Sequence, residues 1–299
     1  MTDELDTIFD CRRSGIKYPP QSKEGKEVPV LICLAGFPDS ASVWEPLISQ
    51  KELQSTHHIV ALGLPGMHRD SLPDDHRWGY SPMEILVELH KVVTKVQEMH
   101  PEKKPTIDLC AHDWGSIYAY IYVQQHPEII RKFVSLDIGL MEANEMPFGN
   151  TLKTVAYFLC FALAFIVRNL ISASIASKVI ELYPWKSIGP MTSVDTRIFL
   201  QTPKNNPHTC YPYFQFIKGK LTKLDLKNPI TFDKIKSVPH LFLFGTKKDI
   251  NYHSSVFLHN LDQTPGCSWK SFDGGHWFYA DPKHSQEVAT VMSTFFQLG

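Results

Sequence analysis

One short segment of the sequence carries a residue pattern that is typical of a nucleophile. Residues 106–118 read TIDLCAHDWGSIY, an apolar run, then Asp113 at the centre of small-x-Asp-x-Gly, then a second apolar run. This spacing favours a sharp turn from a strand into a helix, which exposes the central side chain at the helix N-terminus. No G-x-S-x-G occurs in the sequence, so a serine esterase is disfavoured. Alone, the pattern is equally compatible with Asp113 as a helix N-cap.

Two more polar residues follow apolar runs nearer the C-terminus. Asp249 comes after residues 240–244 in GTKKD, and His276 comes after residues 268–272 in DGGHW. The order nucleophile, acid, histidine, each at the carboxyl end of a strand, predicts that the three side chains meet at one edge of a sheet. Asp137, which ends an earlier strand, is an alternative acid, but the chain order favours Asp249 as the partner of His276.

These residue types predict a two-step displacement. A carboxylate with an unperturbed pKa of about 3.9 is ionised at neutral pH and needs no base to attack carbon. Its attack on a strained ring or a halide-bearing carbon would give an ester on Asp113, which water activated by His276 would then hydrolyse. The second step forms an oxyanion and needs N–H donors, one of which the Gly-Phe-Pro turn in LICLAGFPDSASVW (31–44) can supply.

The elements that must position these residues alternate between strand and helix. The segment 81–98, for example, has apolar residues spaced as on one face of a helix, which predicts a crossover helix between strands. The repeated alternation predicts an α/β fold with a mostly parallel, doubly wound sheet. It stops after Asp137 and resumes near Pro239, so we expect a core of residues 1–139 and 233–299 and a mostly helical inserted cap at 140–232. The six predicted strands are 28–34, 58–62, 106–110, 132–137, 240–244 and 267–272.

Composition excludes several classes of protein. The 299 residues carry a formal net charge of -1, with no basic face for a nucleic acid. Six separated cysteines without CxxC spacing indicate reduced thiols rather than a metal or disulfide framework. The acidic N-terminus lacks a secretory pattern, which predicts a cytoplasmic protein. The apolar run 155–167 is short for a membrane span, and we expect a buried or lid helix with peripheral membrane contact left open.

The segments AGFPDSASVW, AHDWGS, FGTKKD and GGHWFYADP resemble the α/β-hydrolase family, and within it the epoxide hydrolases. The resemblance extends over nearly the whole chain and is weakest in the cap. It implies the nucleophile Asp113, the general base His276 with Asp249 as its acid, the oxyanion-hole N–H groups of Phe37 and Trp114, and the epoxide-oxygen donors Tyr157 and Tyr213, with Tyr211 and Tyr183 as alternatives.

The resemblance also implies an activity. We expect a lipophilic epoxide to be opened to a vicinal diol through the Asp113 ester, with water as the second reactant and without a metal or organic cofactor. An apolar cap predicts such a substrate because its pocket can mainly offer burial of apolar surface. Whether the protein is a monomer or a homodimer stays open. The residues expected to bind substrate are Phe37, Trp114, Phe161, Phe214 and Trp277.

Two other functions are compatible with the same residues. A haloalkane dehalogenase would use Asp113 in the same way and could bind halide through the Trp114 indole N–H, although Phe37 stands where that chemistry usually places Asn. A non-catalytic interaction protein could keep the fold and dock through its cap helix. One departure concerns efficiency: Ala35 replaces the histidine that usually braces the oxyanion turn in the family.

Overall fold

The computed structural model describes eight stretches of the chain: residues 7–15, 28–98, 105–141, 145–184, 192–195, 198, 201–222 and 230–298. Statements below refer to these residues.

The centre of the protein is a seven-stranded sheet in the order β1-β3-β2-β4-β5-β6-β7. Every neighbouring pair is parallel except β1 and β3, which are antiparallel. All residues of β2, β3, β4 and β6 are buried. Strands covered by helices on both faces need such continuous apolar runs, which is why the sequence predicted them well. The strands are β1 Asp10–Gly15, β2 Val30–Leu34, β3 His58–Gly63, β4 Ile107–His112, β5 Ile130–Leu136, β6 His240–Gly245 and β7 Ser268–Phe272.

Helices follow most of the strands. Helix α3 buries one apolar side, from Ile85 to Val96, as its periodicity predicted. The helices are α1 Glu45–Ile48, α2 Lys51–Gln54, α3 Pro82–Glu98, α4 Trp114–Gln125, α5 Phe148–Leu170, α6 Ala173–Leu182, α7 Ser193–Asp195, α8 Thr202–Asn205, α9 Tyr211–Thr222, α10 Phe232–Ile235, α11 Ser255–Gln263 and α12 Ser285–Gln297.

The described residues between β5 and β6 contain helices and no strand. Helices α6 and α9 both pack against the long helix α5, and α5 brings Tyr157 and Phe161 into the main hydrophobic cluster. We keep 140–232 as the proposed extent of this cap. The sheet confirms the α/β-hydrolase architecture that the sequence predicted.

One strand was missed. Strand β1 is only partly buried along its length and pairs with β3 at the edge of the sheet. Its sequence, DCRRSG, is polar because an edge strand with a solvent-facing side needs no continuous apolar run. No periodic signal distinguishes such a segment from a loop.

Candidate active site

Asp113 lies at the turn between β4 and α4, as the sequence predicted. Its backbone has φ 54° and ψ -128°, a conformation that is strained for a residue with a Cβ. The turn holds the carboxylate at the N-terminus of α4, where the helix dipole favours a negative charge. Fifteen per cent of the side chain is exposed. The carboxylate is therefore fixed in position and remains accessible to a reactant.

The turn after β2 passes directly over this carboxylate. The Phe37 backbone N–H donates to Asp113 Oδ1 at 2.8 Å. A Cβ on Gly36 would lie 2.5 Å from the Trp114 backbone nitrogen and 2.6 Å from Asp113 Oδ1, so only glycine fits there. The backbone nitrogens of Phe37 and Trp114 thus lie on the same side of Asp113, where the resemblance predicted an oxyanion hole.

His276 faces Asp113 from the loop after β7. Its Nε2 lies 3.3 Å from Asp113 Oδ2, and 16% of its side chain is exposed. Its Nδ1 forms a hydrogen bond with Asp137 Oδ2. The structure thereby brings the sequence-predicted pair Asp113 and His276 together.

The acid beside His276 is Asp137, and the prediction of Asp249 in that place is wrong. Asp137 follows β5 directly, is completely buried, and accepts the Gly245 N–H at 3.0 Å through Oδ1. Asp249 lies further along the loop after β6, 48% exposed, with its carboxylate 3.9 Å from Lys153 Nζ. The loop after β6 carries Asp249 away from the sheet edge, whereas Asp137 lies at the strand end itself.

A lysine that sequence analysis did not single out shares this acid. Lys248 Nζ forms an ion pair with Asp137 Oδ2, and only 11% of the lysine side chain is exposed. Burial raises the pKa of Asp137, but Lys248 and His276 outweigh it and hold that pKa well below its usual range. Asp137 is therefore a permanent anion between two cationic partners.

The two carboxylates change the acidity of His276. Burial lowers its pKa, but the charges and hydrogen bonds of Asp137 and Asp113 outweigh burial and raise the pKa to about 9. At neutral pH the imidazole is then protonated, and both ring N–H groups face carboxylate oxygens. The resting site is an imidazolium between two anions.

Neighbouring residues fix the histidine loop. The Trp277 N–H donates to Asp195 Oδ1 of the cap at 3.1 Å, and a Cβ on Gly275 would lie 1.8 Å from Asp195 Oδ2. Burial lowers the pKa of His112 well below its usual range, so its ring is neutral, and Nε2 pairs with the His276 carbonyl oxygen at 3.1 Å. Cap and core together therefore fix the position of His276.

The oxyanion turn has a brace that replaces the family's histidine. Ala35 is buried and offers no side-chain hydrogen bond, but the Trp277 indole N–H donates to Asp39 Oδ2 at 2.7 Å. The Trp277 ring also packs edge-on against His276, with centroids 4.5 Å apart. Trp277 therefore connects the turn to the histidine loop, and its contact with substrate stays a prediction.

Asp39 also makes a testable contribution to stability. Burial, reinforced by the charge of Asp113 and opposed by the Trp277 hydrogen bond, raises its pKa from 3.8 to about 8. The folded state thus binds a proton that the unfolded state has lost, so stability falls as pH rises from about 4 to about 8, by roughly 1.4 kcal/mol per pH unit.

We expect Asp39→Asn to remove this slope while keeping an acceptor for the Trp277 indole. Urea titrations at about pH 5, 6.5 and 8, which span the pH range over which Asp39 ionises, give the free energy of unfolding and so measure this slope. As pH rises, the free energy of unfolding of the variant should increase relative to that of the wild type. Parallel pH curves for the two proteins would contradict the buried, protonated carboxyl.

An aromatic cluster covers the site. Phe37 packs against Phe161 and Tyr213, with centroids 4.9 and 4.8 Å apart. Trp114 contacts Phe158 and Phe216 at 5.8 Å each. Of the predicted substrate-binding residues, the structure brings Phe37, Trp114 and Phe161 together here. The prediction that Phe214 lies here is wrong. Its ring packs elsewhere, against Trp78 and Phe165, with centroids 5.5 and 5.3 Å away.

Tyr213, Tyr157 and Tyr252 are among the described tyrosines whose pKa the charge of Asp113 raises. The Tyr213 ring packs edge-on against Trp114, with centroids 5.3 Å apart, and the charge of Asp113 adds to burial in raising the Tyr213 pKa well above its usual value. The Tyr157 hydroxyl lies 2.5 Å from that of Tyr252, whose pKa is also raised by burial and by Asp113. Sequence analysis missed Tyr252, which stands in the loop after β6 and forms an isolated bridge to Ile138 beside Asp137.

The alternative tyrosines lie elsewhere. Tyr211 packs edge-on against Tyr80, 6.0 Å away, and its buried hydroxyl has no hydrogen-bond partner among the described residues. The Tyr183 hydroxyl donates to the Lys153 carbonyl at 3.5 Å. Of the cap tyrosines considered, Tyr157 and Tyr213 are the two whose surroundings include Asp113. A search of the described residues for three or more His, Cys, Asp or Glu placed to hold a metal ion finds none.

Comparisons with known proteins agree with this architecture. Residues 29–282 match the family model of the α/β hydrolase fold. Among solved structures, a haloalkane dehalogenase loop variant from Bradyrhizobium elkanii is similar, with a TM-score of 0.60, 14% identity, and coverage of 95% of this chain and 91% of that one. An epoxide hydrolase from Vigna radiata has a TM-score of 0.58, 16% identity, and coverage of 98% and 96%.

Similarity to curated proteins is confined to part of the chain. A cis-3-alkyl-4-alkyloxetan-2-one decarboxylase from Shewanella oneidensis is 25% identical over 139 residues, 45% of this chain and 41% of that protein. Epoxide hydrolase 4 from Mus musculus is 23% identical over 124 residues, 42% of this chain and 32% of that protein. The matches span less than half the length of these relatives.

A parallel sheet with a strand-to-helix turn at Asp113 and a histidine after the last strand defines a hydrolase-type α/β protein. The chain belongs to the α/β hydrolase fold family, and its structural relatives include both epoxide hydrolases and haloalkane dehalogenases.

Proposed function

We propose that this protein is an epoxide hydrolase that opens a lipophilic epoxide to a vicinal diol through an ester on Asp113. The observation that carries the proposal is the arrangement of Asp113: Oδ1 accepts the Phe37 N–H at 2.8 Å, and Oδ2 lies 3.3 Å from His276 Nε2. One oxygen is held where a carbonyl oxygen needs stabilisation, and the other is available as a nucleophile beside the base that would later activate water.

Ring opening needs an acid. Asp113 attacks a ring carbon, the carbon–oxygen bond breaks, and the alkoxide takes a proton from Tyr213. The Tyr213 ring packs edge-on against Trp114, the residue after the nucleophile, and its hydroxyl carries a proton that it can donate to the substrate. The pKa of Tyr213, raised mainly by burial, keeps the hydroxyl protonated beforehand.

The imidazolium then returns a proton to the tyrosine. Esterification removes the negative charge of Asp113, one of the causes of the raised pKa of His276. The ring therefore loses its proton more readily once the ester exists, and it does so to the Tyr213 phenolate. His276 becomes neutral at the stage that requires a base.

Hydrolysis completes the cycle. Neutral His276 takes a proton from water, and the hydroxide adds to the Asp113 carboxyl carbon. The Phe37 and Trp114 N–H groups stabilise the oxyanion, and Asp137 stabilises the imidazolium. Collapse releases the diol, with the proton of the added hydroxyl moving to the leaving alkoxide. The carboxylate and imidazolium of the resting site are restored.

Haloalkane dehalogenase is the second candidate on the same nucleophile. The Tyr213 hydroxyl favours the epoxide, because it belongs to a ring packed against Trp114 beside Asp113 and opening an epoxide needs a proton donor that halide release does not need. Phe37 offers no side-chain donor for a halide. A non-catalytic protein would have no need of an imidazole held between two carboxylates at a strained turn.

Trapping the ester tests the proposal. His276→Gln removes the base for the second step, so incubation with an aryl or fatty-acid epoxide should leave a stable adduct on Asp113. Intact-protein and peptide mass spectrometry should find the mass of the epoxide added to Asp113. An adduct from a haloalkane and none from epoxides would instead support the dehalogenase.

Tyr213→Phe should slow ester formation about 100-fold or more and slow ester hydrolysis less, because the hydroxyl is the acid of the first step and its phenolate only receives the His276 proton afterwards. Rapid-quench measurement of the two steps separates them. Tyr211→Phe is the matched control, since its buried hydroxyl on the same helix has no hydrogen-bond partner among the described residues. Equal rates of ring opening in Tyr213→Phe and the control would remove Tyr213 from the acid role.

A further inference from the structure

Helix α5 is apolar on two opposite sides. Its inward side buries Tyr157, Phe161 and Phe165, of which Tyr157 and Phe161 belong to the aromatic cluster over the candidate active site. Its outward side carries six apolar side chains that are between 49% and 83% exposed. These exposed residues are Phe148, Leu152, Val155, Leu159, Leu163 and Leu170.

Their spacing puts them in one continuous row. Steps of four, three, four, four and seven residues keep side chains on one face of an α-helix. With a rise of 1.5 Å per residue, the 23-residue helix is about 34 Å long. The helix is long and apolar enough to cross a membrane. Only 33% of its most apolar 18-residue stretch is buried inside the protein. An exposed apolar row of this length marks a surface that is covered by something else.

The charges around the row indicate what covers it. Residues 140–232 contain ten Lys or Arg and five Asp or Glu, although the whole chain has a net charge of -1. Lys178 of α6 and Lys218 and Lys220 of α9 are exposed, and both helices pack against α5. An apolar face on a cap that carries an excess of basic residues is suited to a bilayer with anionic headgroups.

We propose that the outward face of α5, with these lysines, docks the protein on an anionic lipid surface. A second copy is a poorer partner because it would bring an equally basic cap against this one. The helix would lie on the membrane rather than cross it, since its inward side is packed over Asp113 with the aromatic cluster. Exposed Ile175 and Leu182 of α6 extend the same apolar surface.

Vesicle binding tests the proposal without any substrate. The wild-type protein should co-sediment with vesicles of phosphatidylcholine containing about 30 mol% phosphatidylserine, and less with phosphatidylcholine alone or at high salt. Leu159→Glu with Leu163→Glu should lower the partition coefficient about tenfold or more. The matched control is Met83→Glu with Val87→Glu on α3, which replaces two apolar residues of comparable exposure outside the cap.

Circular dichroism and thermal unfolding establish that both double variants are folded. Control variants that bind as the wild type does, beside a loss in the leucine variants, support the docking face. No binding to either vesicle, or equal binding by all variants, would overturn it. So would a dimer, detected by light scattering, that the leucine substitutions dissociate, because the face would then be an interface between copies. None of these outcomes depends on the proposed catalytic activity.

Discussion

Asp113→Ala should abolish epoxide turnover, lowering kcat by at least about 10⁴-fold, and should leave no covalent adduct under any condition. In the proposed mechanism this carboxylate forms the bond to substrate, so nothing else at the turn can take its place. His276 Nε2, 3.3 Å away, is a base for water and would have no ester to hydrolyse.

A second readout separates this chemical loss from misfolding. The charge of Asp113 is one cause of the raised pKa of His276, which is about 9. In Asp113→Ala that pKa should fall, measurably by NMR titration of the ring, while thermal unfolding remains cooperative. Residual turnover near the wild-type rate, or an adduct on another carboxylate, would contradict the assignment of the nucleophile.

Much of the fold could be predicted because its strands are apolar on both faces. Strands β2, β3, β4 and β6 are buried along their whole length, so each leaves a continuous apolar run in the sequence. Strand β1 does not, because an edge strand exposes polar residues. The signal was lost in β1, which is partly buried and polar, whereas the mostly exposed strand β7 was still predicted, at residues 267–272.

The site was predictable to the extent that it lies at element ends. Asp113 and His276 each follow a strand directly or closely, and parallel strands bring their carboxyl ends to one edge. Tyr252 and Lys248 lie in a loop, where spacing carries no information on direction. Their places depend on how the loop after β6 folds back to Ile138 and Asp137.

The contact that supports the turn at Ala35 could also not be predicted from the sequence. The loss of a bracing histidine at Ala35 is visible, but the Trp277 to Asp39 hydrogen bond joins residues 238 positions apart. A buried carboxyl with a pKa near 8 arises only from that packing. Local sequence can therefore identify a missing support, whereas its replacement requires the three-dimensional structure.

The choice between two acids gives the second large expected effect. Asp137→Asn should lower the rate of ester hydrolysis roughly 10³- to 10⁴-fold, because the amide cannot stabilise the imidazolium that forms when water is activated. Asp249→Asn should change it less than about twofold, since that carboxylate is half-exposed and its close cation is Lys153 at 3.9 Å. Single-turnover hydrolysis of the preformed ester measures both variants.

Lys248 provides the control for indirect effects. In Asp137→Asn this largely buried lysine loses its anionic partner, which by itself destabilises the protein. Asp137→Asn combined with Lys248→Met removes the stranded charge and should recover stability but not the rate. The pKa of His276 should also fall in both Asp137 variants, because Asp137 is the strongest of the influences that raise it. A large loss of rate in Asp249→Asn with a normal rate in Asp137→Asn would reverse the assignment, and it would require the loop after β6 to reposition during turnover.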